Sequence, residues 1–437
     1  MVDERMQPSE TPAQGGGARS RPLRILMISP SLPHPPIWGF GIRVNQFLRL
    51  LARNHHVSLL TYEEPGEAEK VAAVKSLGVE VHTMVRPKTT ERSKRTAQLS
   101  SLLSTMSFQR RSVSSPGMQA KLDSLLEANR YDVIQIESSQ LAGFDFGGSS
   151  VVVLDEHNIE YELLYRMYRT EGSPMRRLYN RLEYAKFKRE EIGSWRSVSG
   201  CVMTSAREQE IVNSLAPGAP TIVGANAVDV EYFRPSGGTG NGRAIVMTGL
   251  MHYRPNIDGA VYFVHEIFPR ILTLRPDMVF YIVGAGATDE LKRLAGPNVV
   301  VTDTVPDVRP YVYDAAAFVV PLRMGGGTRL KVLEGLSMEK AVVSTAVGCE
   351  GIDVVHDEHL IVANDPQAFA DAVLKVAADG ELAGRLGRAG RRLVERRYKW
   401  ESVVDQLEAF YDRLLAGCAG GGETAGARRV DSPGVKS

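Results

Sequence analysis

Short runs of apolar, mostly β-branched residues alternate along this chain with longer stretches of helical periodicity. RILMIS (24–29) leads through a Gly/Pro loop to a helix-like segment at 42–53. VSLLTY (57–62), VEVHTM (79–84), DVIQIES (132–138), VVVLDEHN (151–158) and GCVMTS (200–205) continue the series. Both faces of these runs are apolar, which is the mark of buried parallel strands. The helical stretches between them predict right-handed βαβ crossovers. The series then restarts with AIVMTG (244–249), MVFYIVG (278–284), VVVTDTV (299–305), AAFVVPL (316–322), AVVSTA (341–346) and LIVAN (360–364), with helical patterns notably at 257–275 and 328–337. The pattern predicts an α/β fold of two Rossmann-like, doubly wound domains facing each other across a cleft. A disordered arm (1–22) precedes a first domain (23–233). The Gly/Pro-rich polar stretch RPSGGTGNGR (234–243) is the linker to a second domain (244–398). A helix at 399–416, following Trp400, is expected to return towards the first domain, ahead of a disordered tail (417–437).

Composition narrows the class. The chain has 437 residues, 43% hydrophobic and 24% charged, with a net charge of +1. That balance is globular and offers no basic field to draw nucleic acid. Cys201, Cys349 and Cys418 are too few and too scattered for a disulfide framework or a metal-ligand pair. No run approaches the roughly 20 apolar residues needed to span a bilayer, and the first residues have no signal-like apolar core. These features predict a cytoplasmic protein. The basic stretch at 166–195, with Tyr and Leu interleaved, reads as one long helix. It is either a solvated face or a peripheral contact with the inner face of an anionic membrane.

Ligands of open parallel sheets bind beyond the carboxyl ends of the strands, so the loops there carry the candidate chemistry. In PLRMGGGTRLKVLEGLS (321–337), a strand ends near Leu322, Gly325, Gly326 and Gly327 follow, and a helix is expected to open at about Thr328. Glycines let backbone N–H groups approach an anion, and a helix N-terminus favours negative charge. Arg329 and Lys331 add cations, and Glu334 can accept hydrogen bonds from a ribose diol. Gly39 and Gly41 lie in a loop after the first strand, before a helix carrying Arg43, and read as a loop facing a phosphate or an acceptor. Gly249 ends the first strand of the second domain. Gly284, in IVGAG (282–286), reads as part of a loop over the nucleotide. His157 is the catalytic candidate, delivered into the cleft at the end of a strand; histidine can donate a hydrogen bond to a sugar hydroxyl and ordinarily titrates near neutrality. Glu137 ends the neighbouring strand-like run and is expected, with Gly39, Gly41 and Arg43, to face the phosphate or acceptor. No D-x-D occurs, so the carboxylate device for a metal-bound sugar nucleotide is absent, and neither metal nor cofactor is expected.

Taken together, TGLMHYRPNIDG (248–259), VPDVRPYVYDAA (305–316), PLRMGGGTRLKVLEGLSMEKAVVST (321–345) and RRLVERRYKWESVVDQLEAFYDRLL (391–415) resemble glycosyltransferase family 4. VVVLDEHNIEYELLYR and the first βα segment agree, and the resemblance covers residues 23–416. It implies a GT-B fold and a retaining, metal-independent hexosyltransferase. Sugar would pass from a nucleotide-diphosphate donor to a glycan or polyprenyl-linked acceptor in surface polysaccharide biosynthesis. By the same resemblance, Gly325 to Thr328 would hold the diphosphate and Glu334 the ribose, Val305 would border the base, and His157 would meet the donor sugar or acceptor. The family's paired glutamates are incomplete, because Gly326 stands at the first position. Its usual Arg and Lys are replaced by Leu250 and Asn256, so Arg254, Arg329 or Lys331 must supply the countercharge. A sugar-nucleotide epimerase of the same architecture and a non-catalytic nucleotide-sugar-binding protein are the alternatives.

Overall fold

The computed structural model describes residues 21–86, 98, 101, 104–236, 242–325 and 328–420. Gly326, Gly327, the middle of the linker and most of the expected arm and tail lie outside the described residues. The first sheet holds β1 (Arg24–Ser29), β2 (His56–Glu63), β3 (Glu80–Val85), β4 (Val133–Ile136), β5 (Val151–Glu156), β6 (Gly200–Met203) and β7 (Thr221–Val223) in the order β3-β2-β1-β4-β5-β6-β7. The second holds β8 (Ala244–Thr248), β9 (Val279–Val283), β10 (Val299–Val301), β11 (Ala315–Val320), β12 (Val342–Ser344) and β13 (Ile361–Val362) in the order β10-β9-β8-β11-β12-β13. Neighbouring strands pair in parallel throughout both sheets. Each sheet reverses its winding once, between β1 and β4 and between β8 and β11. Those are the points where open α/β sheets gather their ligands.

In the first domain, strand alternation sorts residues between two cores. Val133, Val151 and Val153 pack on one face with α1 (Gly39–Leu51), whereas Ile134, Ile136 and Leu154 pack on the other with Phe187 and Trp195. The helical stretch expected at 166–195 is two helices, α2 (Glu160–Thr170) and α3 (Pro174–Ser197). Gly172 and Ser173 weaken the helix, and Pro174 can only begin the next one. Buried Glu191 of α3 fixes the start of α2, accepting from the N–H groups of Glu160 and Tyr161, both at 2.9 Å. In the second domain, the helix that follows the glycine-rich loop is α4 (Leu330–Ser337), two residues later than expected. The helix expected over 257–275 is interrupted by a π-helical turn at Phe263–Ile267.

The final helix, α5 (Trp400–Gly420), belongs to the first domain's core. Trp400, Val403, Leu407, Phe410 and Tyr411 are buried there against α1 and the sheet. It runs through residues 417–420, which the sequence pattern had assigned to the tail. The chain crosses between domains twice, and the crossings lie side by side, with Val228 N–H donating to the Tyr398 carbonyl at 2.9 Å. Arg391 holds the first crossing to the second domain through the carbonyls of Val230 (3.0 Å), Phe233 (3.2 Å) and Ser337 (2.7 Å). Trp400 meets Phe47 of α1 edge-on, with ring centroids 5.9 Å apart. Trp400→Ala is therefore expected to destabilise the first domain by about 3–5 kcal/mol. Urea unfolding should show an earlier first-domain transition while the second-domain transition stays in place.

Candidate active site

The alternation that builds the first domain's cores also places its polar groups. Residues 133, 135 and 137 of β4 and its end, and 151, 153, 155 and 157 at β5, point to the α1 face. Asp155 is there fully buried against Arg43 of α1, with two hydrogen bonds of 2.7 and 2.6 Å. Burial alone would raise the Asp155 carboxyl, but the Arg43 charge and its hydrogen bonds win and hold it below the ordinary range. Arg43 also donates to the Gly224 carbonyl at 2.7 Å. Glu156 faces the opposite core, where Trp195 Nε1 donates to it at 2.8 Å. Burial and the nearby Glu191 carboxylate raise its carboxyl well above the usual value.

His157 stands at the mouth of this network. Its Nε2 lies 3.1 Å from Glu137 Oε2 and 3.5 Å from Asp155 Oδ2. Glu137 Oε1 accepts from Gln135 Nε2 at 2.7 Å, and the Tyr411 hydroxyl of α5 donates to Gln135 Oε1. A chain of hydrogen bonds thus runs from the last helix through the sheet to the histidine ring. Burial pushes the Glu137 carboxyl up to about 7, against the opposing pull of His157. Glu137, Asp155 and His157 offer ligand atoms within 4.8 Å of one another, close enough to hold a metal ion. The Asp155 and Glu137 oxygens already accept from Arg43 and Gln135. Phe40, in the first turn of α1, packs on the His157 ring with centroids 4.5 Å apart.

The second domain supplies a different surface. Gly249 and Gly284 follow β8 and β9 with φ of +150° and +138°. A Cβ on Gly284 would lie 1.9 Å from the Gly249 carbonyl oxygen, so the two backbones meet only because residue 284 is glycine. Beside them Lys331 Nζ donates to Asn256 Oδ1 at 2.7 Å, and a Cβ on Gly249 would lie 2.6 Å from that ammonium. The cation from α4 therefore occupies the neighbourhood of position 256, where the resembling family carries its own lysine. Burial lowers Lys331 to about 8; Glu334 opposes the shift and Arg329 adds to it. Burial raises Glu334 to about 7, with Lys331 opposing, although part of its surface stays open. The N-terminus of α4 has no side-chain cap, and Arg329 stands at the cap position with its guanidinium against Gly325.

The two surfaces face each other. Gly39 lies against Leu330 of α4, since a Cβ there would be 4.0 Å from Leu330 Cδ1. Arg166 of α2 donates to the Gly325 carbonyl at 3.0 Å. Asn158, Glu162, Arg166 and Arg207 from the first domain line one cavity with Thr328 and Glu350 from the second.

Several expectations change. Gly39 and Gly41 are not in a loop but in the first turn of α1, which has no side-chain cap and no acidic residue. Arg43 is an internal anchor of the fold rather than a phosphate or acceptor contact, because its guanidinium is consumed by Asp155. Glu137 is fully buried behind His157, so it positions that ring rather than meeting a ligand. Asp155 and Glu156 are core groups. Arg254 is 65% exposed and pairs with Glu290 at 3.2 Å. Val305 is half-buried against the second domain's core. Arg166 and Gln135 were missed. Gln135 shares the β4 face with Glu137, so alternation alone could have found it. Nothing local distinguished Arg166 from the other basic residues of its helix.

Residues 242–379, most of the second domain, match the family model described as glycosyl transferases group 1. The fold is GT-B. Over 130 residues the chain is 27% identical to the Capsular polysaccharide biosynthesis glycosyltransferase CapM of Staphylococcus aureus, covering 29% of this chain and 34% of that protein. Over 139 residues it is 27% identical to an uncharacterised 44.6 kDa protein of a cps region in Klebsiella pneumoniae, covering 30% of this chain and 36% of that protein. The chain thus spans about a third of the length of these relatives. Among solved structures it is similar to sucrose-phosphate synthase of Thermosynechococcus elongatus, with a TM-score of 0.66 and 16% identity over 90% of this chain and 100% of that one. HepE of Anabaena in complex with UDP is also similar, with a TM-score of 0.65 and 12% identity over 90% and 100% of the two chains.

The perturbed Glu334 carboxyl has a consequence for stability. Its folded value of about 7 exceeds the ordinary 4.5, so the folded chain keeps a proton that the unfolded chain releases. The stability this group contributes is complete below about 4.5 and is lost as the pH rises through 7. Denaturant titrations of Glu334→Gln should therefore show a shallower decline in stability between those values than the wild type. Parallel profiles would mean the carboxyl is not held in its protonated form.

Proposed function

We propose that the protein is a retaining, metal-independent hexosyltransferase that moves a sugar from a nucleotide-diphosphate donor to a hydroxyl of a glycan or polyprenyl-linked acceptor. The observation that supports this reading is the uncapped N-terminus of α4 at the second sheet's switch point, which begins beside Arg329, carries Lys331 and lies with Leu330 against Gly39 of the first domain. Amides and cations at a helix start suit a diphosphate. In this reading the donor loop comprises Gly325, Gly326, Gly327 and Thr328, with Gly249 and Gly284 also binding the donor and Glu334 taking the ribose hydroxyls. The uncapped first turn of α1, at Gly39 and Gly41, faces the same space.

The proposed reaction is a front-face displacement. The bond from the anomeric carbon to the diphosphate oxygen breaks, and the acceptor oxygen bonds to that carbon from the same side. The acceptor's proton passes to the departing phosphate oxygen. Arg329, Lys331 and the α4 amides stabilise the charge that develops on the leaving group. Loss of one such donor costs about 2.7–4 kcal/mol in other enzymes. His157, steadied by Glu137, donates a hydrogen bond at the sugar. Closure of the two domains keeps water from the reacting carbon. The similarity to CapM supports a role in surface polysaccharide assembly.

Nucleotide sugars built on uridine, guanosine, adenosine and thymidine diphosphates should be screened by thermal shift. One of them is expected to raise the melting temperature by mass action. Arg329→Ala or Glu334→Ala should remove that shift, and His157→Ala should keep it while lowering turnover by a hundredfold or more. A donor consumed without any acceptor would favour an epimerase instead.

Peripheral contact with an anionic membrane is proposed for the α2–α3 face. Met175, Leu178 and Leu182 are 84%, 59% and 42% exposed beside Arg176, Arg177 and Arg181. Apolar side chains among basic ones suit an anionic lipid surface. Co-sedimentation with phosphatidylglycerol-containing vesicles should fall for the double variant Met175→Ser, Leu178→Ser; equal binding to neutral vesicles would contradict the proposal.

A further inference from the structure

A cavity of about 690 Å³ opens beyond the carboxyl ends of β1, β2 and β4, at the first sheet's own switch point. That volume is in the range of small-ligand sites. Its carboxylates and its Lys and Arg side chains form two pairs. Lys70 Nζ donates to Glu67 Oε1 at 2.5 Å. Arg86 Nε lies 3.4 Å from Glu64 Oε1, and the same guanidinium donates to the Pro30 carbonyl. An ionic group entering here would have to compete for a charge that already has a partner. The remaining polar groups are in the opposite condition. The Trp38 indole N–H, the His34 ring and the Gln140 side-chain amide line the cavity and have no hydrogen-bond partner among the described residues.

Trp38 stands at the cap position of α1, and Gly41 makes room for it. A Cβ on Gly41 would lie 2.9 Å from the indole Cε2 and 3.0 Å from Cδ2 and Cζ2. Near-equal distances to three neighbouring ring atoms mean that the flat of the indole, not its edge, covers the glycine. The other face meets no aromatic ring or cation among the described residues. Phe40 of the same turn packs on the His157 ring, with centroids 4.5 Å apart. One turn of α1 therefore carries both the ring that touches the catalytic candidate and the ring that lines the cavity. A sugar fits these surroundings. Its CH-rich face packs on an aromatic plane, and its hydroxyls both donate to and accept from uncharged polar groups.

We propose that this cavity is a subsite for an uncharged sugar unit of the acceptor glycan, with Trp38 as the platform under the sugar ring and His34 and Gln140 bonding its hydroxyls. The inference rests on the glycosyltransferase reading above and narrows its acceptor to glycans that are neutral at this position. Gly41 acts through Trp38, by leaving space for the indole to lie flat.

The test begins with the full chain on an array of immobilised oligosaccharides, some neutral and some bearing uronate, sialate or phosphate groups. The wild type should be retained on neutral members. The best of these, added in solution, should protect the protein's fluorescence from acrylamide quenching. That signal reports Trp38, because the other two tryptophans, Trp195 and Trp400, are 0% and 1% exposed. Trp38→Ala should weaken retention by roughly tenfold, in keeping with the loss of one aromatic contact, and Trp38→Phe should recover part of it. The melting-temperature shift given by a nucleotide sugar should be the same in Trp38→Ala as in the wild type, which also shows that the variant is folded. Retention on acidic glycans alone, retention on none, or a neutral glycan that leaves quenching unchanged would overturn this inference while the donor reading stands. A wild-type chain that responds to no nucleotide sugar would overturn the donor reading, and the acceptor role of this cavity with it.

Discussion

The buried pair between Arg43 and Asp155 is the interaction on which the site depends. Both side chains are wholly removed from water, and dehydrating two charges is costly unless their geometry and remaining hydrogen bonds are well satisfied. Here they are: the contact is bidentate, and the guanidinium's remaining donors reach Gly224 and Asn226. One cation thereby ties α1, the end of β5 and the segment leaving the first sheet. The end of β5 carries His157, and α1 carries the turn that faces the second domain. Removing either partner alone would leave a charge in the core, so the cost of breaking the pair exceeds what its formation contributes.

The halves of the cleft use opposite physics. The first domain presents one histidine, held from behind by Glu137, Gln135 and Tyr411 in a continuous chain of hydrogen bonds. Few of those groups can rearrange without leaving another buried and unsatisfied. The second domain presents the uncapped start of α4, with Arg329 at its cap position and Lys331 held by Asn256. In the proposed reaction, the first of these surfaces positions the sugar and the second receives the charged leaving group.

Much of this fold was legible in the chain because parallel strands buried on both faces stand out as unbroken apolar runs. β7 escaped notice: three residues, Thr221–Val223, at a sheet edge, are too short to make a pattern. The position of the glycine-rich loop after β11 was equally readable, since strand, glycines and helix follow one another directly. Side-chain partnerships were not. Arg43 looked like a cation beside a glycine turn, and its partner lies 112 residues away in the chain. The alternation through Val151, Val153, Asp155 and His157 was available as a signal, and it separates Asp155 from Glu156 before any coordinates are known. Arg166 could not have been found this way. Its contact with the Gly325 carbonyl comes from the docking of two domains, which no local spacing encodes.

A crystal structure of the protein with a bound nucleoside diphosphate tests the central claim most directly. The diphosphate should lie on the amides that open α4, with Lys331 Nζ and the Arg329 guanidinium at hydrogen-bonding distance from its oxygens and the ribose on Glu334. A nucleotide bound elsewhere, with Lys331 still on Asn256 and the start of α4 empty, would contradict it.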